Sequence, residues 1–193
     1  MTGRRRRLRP DERRLELIEA AERVLREKGL GARVEDVVAA AGAAKGTFYL
    51  YFPSWEELLL EIRSRIFTAF HHRHLGGPRH AIDPDWRALA AELSAAFVDF
   101  TLELAGQHEA IFHGPIAGRP PRDGEFDAVS IIADLLRAGT AGGAFSVEDA
   151  DATARLLFAV LHETADAIQS GADRARSLAA MHALIGRAIF AAP

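Results

Sequence analysis

The sequence predicts an all-α protein, and three observations carry that prediction. About one residue in five is Ala and Leu is plentiful, both strong helix formers. Apolar residues recur at three- and four-residue steps through the long segments, without the sustained alternation a half-buried strand needs. Pairs containing Gly or Pro sit between the periodic stretches. A chain of 193 residues, 49% of them hydrophobic, buries roughly two-thirds of its unfolded surface and needs no disulfide or metal staple. No repeat of 20–50 residues is present, which excludes a solenoid.

The first helix is expected over residues 13–28, where Leu17, Ile18, Ala21, Val24 and Leu25 share one side and Gly29 follows as a stop. Glu35 and Asp36 mark the first turn of a second helix, Val34 to Ala41, which ends at Gly42; a third covers Ala44 to Tyr51. Phe52-Pro53-Ser54 is a break, with Ser54 as a fresh N-cap and Glu56 and Glu57 behind it where the helix dipole favours acids. Longer helices are expected at 55–75, 84–106, 108–113, 123–139, 147–170 and 173–191. Gly76-Gly77-Pro78, Gly114-Pro115, Pro120-Pro121, Gly142-Gly143 and Gly171 punctuate them. The expected organisation is a disordered basic arm over 1–12, a helix-turn-helix domain over 13–54 and a larger helical domain over 55–193.

Charge divides at the same place. Residues 1–54 hold 12 Lys+Arg against 8 Asp+Glu, net +4, while residues 55–193 hold 12 against 19, net -7. The first part can face a polyanion that the second repels. With no Cys there is no disulfide framework, zinc-finger chemistry or thiol catalysis. No apolar run approaches the ~18 residues of a membrane span. Arg4 to Arg7 are followed by charged sequence and not by a signal-peptide apolar stretch, so a cytoplasmic location is expected.

Two short helices joined by a tight Gly-containing turn and braced by a longer first helix form a helix-turn-helix, whose second member can lie in a DNA major groove. Residues 34–52 fit that geometry. Val34, Val37 and Val38 are placed to pack against Leu25 and Phe48, which turns Lys45, Thr47, Tyr49 and Leu50 elsewhere. Lys offers a point charge for phosphate, Thr a hydroxyl for phosphate or base, and Tyr a ring with a polar tip. On geometry alone, an amphipathic helical hairpin with a few exposed polar groups fits as well.

The order of residues separates the two. Leu17-Ile18-Glu19-Ala20-Ala21, Glu27-Lys28-Gly29, Val34-Glu35-Asp36-Val37-Val38-Ala39-Ala40-Ala41-Gly42 and Lys45-Gly46-Thr47-Phe48-Tyr49-Leu50-Tyr51-Phe52-Pro53-Ser54, with Glu56-Glu57-Leu58 beyond, resemble the TetR family of bacterial transcriptional regulators. The likeness covers about residues 13–60; farther on, Arg137-Ala138-Gly139 through Phe145 agrees only in style. It implies a homodimer with an N-terminal DNA reader and a larger C-terminal domain that binds a small molecule and dimerises. Carried over by position, Lys45, Thr47, Tyr49 and Tyr51 fall where the family contacts DNA, mostly at phosphates, and Phe48 and Phe52 fall on core positions. Three positions depart from the pattern. Arg33 stands where the second helix usually has a Thr or Ser cap, Ala44 where Ser or a similar polar type is usual, and Trp55 where Lys is common. A lost cap hydroxyl costs roughly 1 kcal/mol, and Arg33 can offer phosphate its own charge instead. The DNA-facing set is therefore Arg33, Ala44, Lys45, Thr47, Tyr49, Leu50 and Tyr51. Arg4, Arg5, Arg6, Arg7 and Arg9 repel one another and bury nothing. They are either a solubilising tail or an arm that follows the duplex and enters its minor groove.

No enzyme activity, cofactor or metal is expected. His71 and His74 share a face, but no carboxylate at helical spacing completes a site. His108 and His113 stand five apart, about 140° around a helix, where a zincin helix needs four. His162 and Asp166 have i,i+4 spacing but no evident third ligand. Gly29-Leu30-Gly31 follows a helix and lacks the third Gly of a dinucleotide loop, and no Gly-x-Ser-x-Gly or Walker sequence occurs.

The resemblance also implies a mainly apolar effector pocket. Its candidate lining is Phe67, Trp86, Phe97, Phe112, His113, Phe126, Phe158 and His162; His113 and His162 are included because a polar tip among rings can orient a ligand. Aromatic residues at helical spacing are also what an ordinary core contains. For the dimer, Leu157, Leu161 and Ile168 with Leu178, Met181, Ile185 and Ile189 would build a four-helix bundle from two helices per subunit, unless both faces are satisfied within one chain. The leading expectation is a homodimeric repressor released from double-stranded operator DNA by a small apolar or aromatic effector. The rival is an all-helical carrier or enzyme with a structural helix-turn-helix, using His113 or His162 as its chemical group.

Overall fold

Helix follows helix through the described sequence, as the three- and four-residue periodicity requires. The computed structural model of the chain describes residues 9–75, 85–104, 106–120 and 127–190. Among them lie α1 (Pro10–Lys28), α2 (Val34–Ala40), α3 (Lys45–Tyr51), α4 (Trp55–His74), α5 (Trp86–Glu103), α6 (Gly106–Phe112), α7 (Ala128–Ala141), α8 (Ala150–Gln169) and α9 (Arg174–Ile189), with a short 3-10 turn at Gly29–Gly31 and no strand. Arg4 to Arg7 of the expected arm lie outside the described residues. The stretch 1–12 is not all arm, because helix begins at Pro10. Pro10 presets its own φ for a first helical position, and the Glu12 carboxylate accepts the Arg9 backbone N–H at 2.9 Å.

The chain forms two compact units that do not divide at residue 54: one runs to Arg63 and takes in Leu104–Pro120, the other comprises Ser64–Glu103 and the chain from Pro121 onward. The expected helix-turn-helix domain over 13–54 is therefore extended by the start of α4 and by α6. Two contacts explain the addition of α6. Gly106 brings its backbone so close to the end of α1 that a Cβ there would stand 2.5 Å from the Leu25 carbonyl oxygen, and the neighbouring Gln107 amide donates to the Glu22 carbonyl at 2.8 Å. The start of α4 is held by Arg14 of α1, which forks onto the Glu61 carboxylate at 3.2 and 2.7 Å and lies 5.1 Å from the centre of the Phe52 ring. Leu17, Ile18, Leu25, Val37, Phe48, Leu58, Leu59 and Ile62 are all fully buried in this unit.

In the second unit α8 packs against α5, α7 and α9. Three aspartates set where its helices start. Asp127 accepts the Val129 amide at 2.9 Å, Asp149 the Ala152 amide at 2.9 Å, and Asp173 the Arg176 amide at 2.7 Å. This is why α7 and α8 begin later than the expected 123 and 147. Arg137 ties α7 to α8, its Nη2 donating to both Asp151 carboxylate oxygens at 2.6 and 2.7 Å, and Arg174 ties α9 to α5, its Nη2 donating to both Asp99 oxygens at 2.7 and 2.9 Å. No described helix is long and apolar enough to cross a membrane.

Candidate functional site

The sharp turn between α2 and α3 depends on Gly42 at φ 57, which most side chains avoid. The Ala41, Gly42 and Ala43 amides bond back to Val37, Ala39 and Val38 at 2.9, 3.1 and 2.8 Å, closing the end of α2. Phe48 is fully buried and packs on Phe52 at 5.7 Å between ring centres, which fixes the rotation of α3 about its axis. With Phe48 inward, Tyr49 is 48% exposed and Leu50 78% exposed, and Ala44, Lys45 and Gly46 face solvent. Thr47 and Tyr51 are half-buried at the margins of that face. A Leu exposed to 78% beside a half-exposed Tyr on a seven-residue helix is an apolar surface with polar edges.

The two cations in the expected set are engaged internally. The Lys45 ammonium donates to Glu35 at 2.5 Å; this hydrogen bond holds the Glu35 carboxyl below the usual carboxylate range and raises Lys45. The Arg33 guanidinium donates to the Leu30 and Ala32 carbonyls at 2.8 and 2.9 Å, closing the 3-10 turn. The missing Thr or Ser cap is compensated from the opposite direction, since the Asp36 carboxylate accepts the Arg33 backbone N–H at 3.0 Å. Lys28 in turn bonds Asp36 at 2.6 Å and lowers its pKa. Glu35 and its pairing with Lys45 had no sequence signal, because a separation of ten residues across a turn follows neither helical nor strand spacing.

The second unit holds a partly open apolar cavity of about 80 Å³. Trp86, Leu89 and Phe97 on α5, Ile131 and Leu135 on α7, Leu157 and Leu161 on α8, and Ile185 and Ile189 on α9 are among its walls, with Phe70 of α4 and Phe145 of the turn after α7. Of the expected lining, Trp86 and Phe97 are there. Phe158 and His162 lie behind, Phe158 meeting Phe97 edge-on at 5.9 Å and His162 packing on Phe158 at 5.3 Å, while Phe67 is buried elsewhere in the same unit. Phe112 and His113 belong to the first unit with α6 and do not line this cavity, and Phe126 lies outside the described residues. Sequence pattern supplied the apolar face of each helix but not its neighbour.

The residues expected at a dimer interface are also placed differently. Leu157, Leu161, Met181, Ile185 and Ile189 are buried within the single chain, four of them as cavity walls, and Ile168 and Leu178 are half-buried. The outward faces of α8 and α9 carry Leu156, 70% exposed, and Leu184, 46% exposed, with exposed Ala159, Ala180, Ala183 and Ala188. One apolar stripe is inward and a second, smaller-residue stripe is outward. Periodicity shows that a helix has an apolar side but not which of two such sides meets its own chain.

The first unit presents a helix-turn-helix with a solvent-facing second helix, and the second unit holds an apolar cavity. The family of bacterial regulatory proteins known as the tetR family matches residues 17–62. The uncharacterized HTH-type transcriptional regulator YvdT of Bacillus subtilis (strain 168) is 35% identical over 83 residues, 42% of this chain; the match spans 42% of that relative's own length. Among solved structures, a protein from Shewanella sp. PV-4 assigned to the tetR family of transcription regulators is similar with a TM-score of 0.72, at 20% identity, over 93% of this chain and 99% of that one. RolR in complex with resorcinol is similar with a TM-score of 0.66, at 22% identity, over 91% of this chain and 88% of its own. At these identities the two likenesses concern fold. Residues 17–62 thus carry the match to the tetR family, and the fold of the described residues is that of the two structures.

Proposed function

We propose that the chain is a homodimeric, ligand-responsive transcriptional repressor. In this reading α3 enters the major groove of a double-stranded operator, with Tyr49 and Leu50 toward the bases and Lys45, Thr47 and Tyr51 toward phosphates. The observation that carries the proposal is the exposed Tyr49 and Leu50 on a helix whose rotation is fixed by the buried Phe48. A surface this apolar, joined to a chain segment of net charge +4, suits the T-methyl groups and phosphates of duplex DNA better than bulk water. Two copies related by a twofold axis would pair α8 and α9 through the outward stripe around Leu156 and Leu184, and a dimer of this symmetry reads two half-sites of an operator. A small, mainly apolar or aromatic effector would occupy the cavity of the second unit and favour a form that does not fit the operator. The likeness in fold to RolR, crystallised with resorcinol, supports an effector of that kind.

The test is retention of DNA from upstream of the chain's own gene, measured at two salt concentrations in excess unrelated DNA. Sequence-preferring retention by a species of twice the chain mass is the expected result. Tyr49→Ala should weaken that retention while lowering the thermal melt by only a few degrees, since the side chain is half exposed and its core contact is one edge-on pairing with Phe48, worth about 0.5–1.5 kcal/mol. Retention of no DNA, or of all DNA equally, would instead favour the small-molecule carrier with a structural helix-turn-helix.

A further inference from the structure

Beside the apolar cavity, a cleft of about 120 Å³ lies between α5 and α9. The two share Ala90, Ser94 and Ile185 as walls. Arg87, Ala90 or Ala91, and Ser94 recur at three- and four-residue steps and form one stripe of α5; His182 and Gly186, four apart, form the facing stripe of α9. The space exists because Ala90, Ala91 and Gly186 are small.

Among the described residues, the polar groups at this cleft are donors without an anionic partner. Arg87 stands over the Phe190 ring, its guanidinium carbon 4.0 Å from the ring centre, and that cation–π contact leaves its N–H groups their hydrogen-bonding capacity. A Cβ added to Gly186 would lie 4.0 Å from Arg87 Nη1, which puts that nitrogen beside α9. No carboxylate bonds the Arg87 guanidinium among the described residues. His182 Nε2 is buried and has no hydrogen-bond partner among them either. A buried polar atom left in that state is unfavourable until something bonds it. Ser94 has already given its proton to the Ala90 carbonyl at 2.6 Å and does not compete as a donor. The adjoining cavity has no charged side chain in its wall.

We propose that this cleft is the head-group subsite for an effector bearing one carboxylate on an apolar body. Arg87 takes the carboxylate edge-on, His182 Nε2 donates the second contact in the tautomer that carries its proton there, and the apolar cavity takes the body. A neutral apolar compound would fill the cavity but leave His182 unpartnered. A cation would meet Arg87. The inference rests on the ligand-responsive reading above and narrows its effector to an amphipathic monocarboxylate.

The test uses the full chain carrying Trp55→Phe, which leaves Trp86 in the cavity wall as the sole tryptophan. Decanoate and decanol, equal in chain length, are titrated against its fluorescence. Decanoate is expected to bind at least tenfold more tightly. Arg87→Gln should abolish that preference without weakening decanol, and Arg87→Lys should retain part of it. Gly186→Leu, which fills the cleft without changing charge, should lower decanoate affinity selectively. Equal or tighter binding of decanol, a preference that survives Arg87→Gln, or binding of neither compound would overturn the proposal. The DNA assay keeps the two readings apart: Arg87-dependent decanoate binding without DNA retention leaves the subsite standing and removes the regulator, and DNA retention without that preference does the reverse.

Discussion

Replacing Gly139 by Ala places two opposed effects at one site. Gly139 is buried within α7, where Ala is ordinarily the better helix former by about 1 kcal/mol. Here, however, a Cβ would stand 2.2 Å from two carbons of the Phe145 ring, and reaching ordinary contact at 3.4 Å requires the ring to withdraw by about 1.2 Å. The ring has nowhere to go. It meets Trp86 and Phe190 edge-on, each at 5.2 Å, and its own amide and that of Ala144 bond the Gly139 carbonyl at 3.2 and 2.9 Å. Overpacking costs about 1–3 kcal/mol, and the two disturbed ring pairs are each worth about 0.5–1.5 kcal/mol. Against the helix-propensity gain, the net loss is roughly 1–5 kcal/mol, or a fall of roughly 2–20 °C in Tm for a chain of this size. Thermal unfolding at fixed protein concentration, followed by far-UV circular dichroism and by Trp86 fluorescence in a Trp55→Phe background, measures it. Phe145→Leu should relieve the clash, giving a coupling above about 1 kcal/mol in the double-mutant cycle. A higher Tm for Gly139→Ala, as helix propensity alone demands, would refute the reasoning, as would simple additivity.

Gly106→Ala should be worse tolerated, by more than about 2 kcal/mol, because its Cβ would meet the Leu25 and Arg26 carbonyl oxygens, backbone atoms that cannot rotate aside; unfolding followed at Trp55 with Trp86→Phe checks this. The pH dependence follows from Glu35 and Asp36, whose ordinary values of 4.5 and 3.8 are lowered by hydrogen bonds to Lys45 and Lys28. A lowered carboxyl stabilises the folded chain above its unfolded pKa and loses that contribution as pH falls through the lowered folded value, so a Glu35→Gln/Asp36→Asn variant should lose less Tm than the parent between about pH 6 and about pH 3. Removing residues 1–8, which leaves Arg9 to start α1, should flatten the salt dependence of DNA retention by roughly 0.9 in log-log slope for each phosphate the shortened chain no longer neutralises; an unchanged slope identifies the arginines as a solubilising tail.

Much of the helix layout was legible in the sequence because α-helices announce themselves locally, through periodicity, caps and breakers. The start of α4 at Ser54-Trp55 and the stop of α1 at Gly29 were readable from the residues at those points. The same local character limited the reading of sites. Leu157 and Leu161 lie on an apolar side of α8, as expected, yet it is the cavity they line, and the outward Leu156 is the immediate neighbour of Leu157 in sequence. The presence of α6 in the first unit depends on Gly106 and Gln107 meeting α1, a pairing between segments about eighty residues apart that no spacing rule records. The agreement in style from Arg137 to Phe145 has a physical reason in the close approach of Phe145 to Gly139.

In the DNA-binding reading, the salt bridge at α3 sets what Lys45 can contribute. Lys45 and Glu35 together carry no net charge, and both are exposed, so in free protein Glu35 already occupies the position a phosphate would take. On DNA the ammonium must turn from a carboxylate to a phosphate, and the carboxylate it leaves is then held near the polyanion. Replacing Lys45 alone therefore removes one phosphate partner and exposes one repulsion. Replacing both removes the partner without the repulsion. Lys45→Ala should accordingly weaken retention more than Lys45→Ala combined with Glu35→Ala, and Glu35→Ala alone should strengthen it, with all three differences shrinking as salt is raised. If Lys45 instead points away from DNA, Glu35→Ala will leave retention unchanged and the single and double variants will coincide. Recognition would then rest on Tyr49 and Leu50, the two large side chains that α3 exposes to solvent.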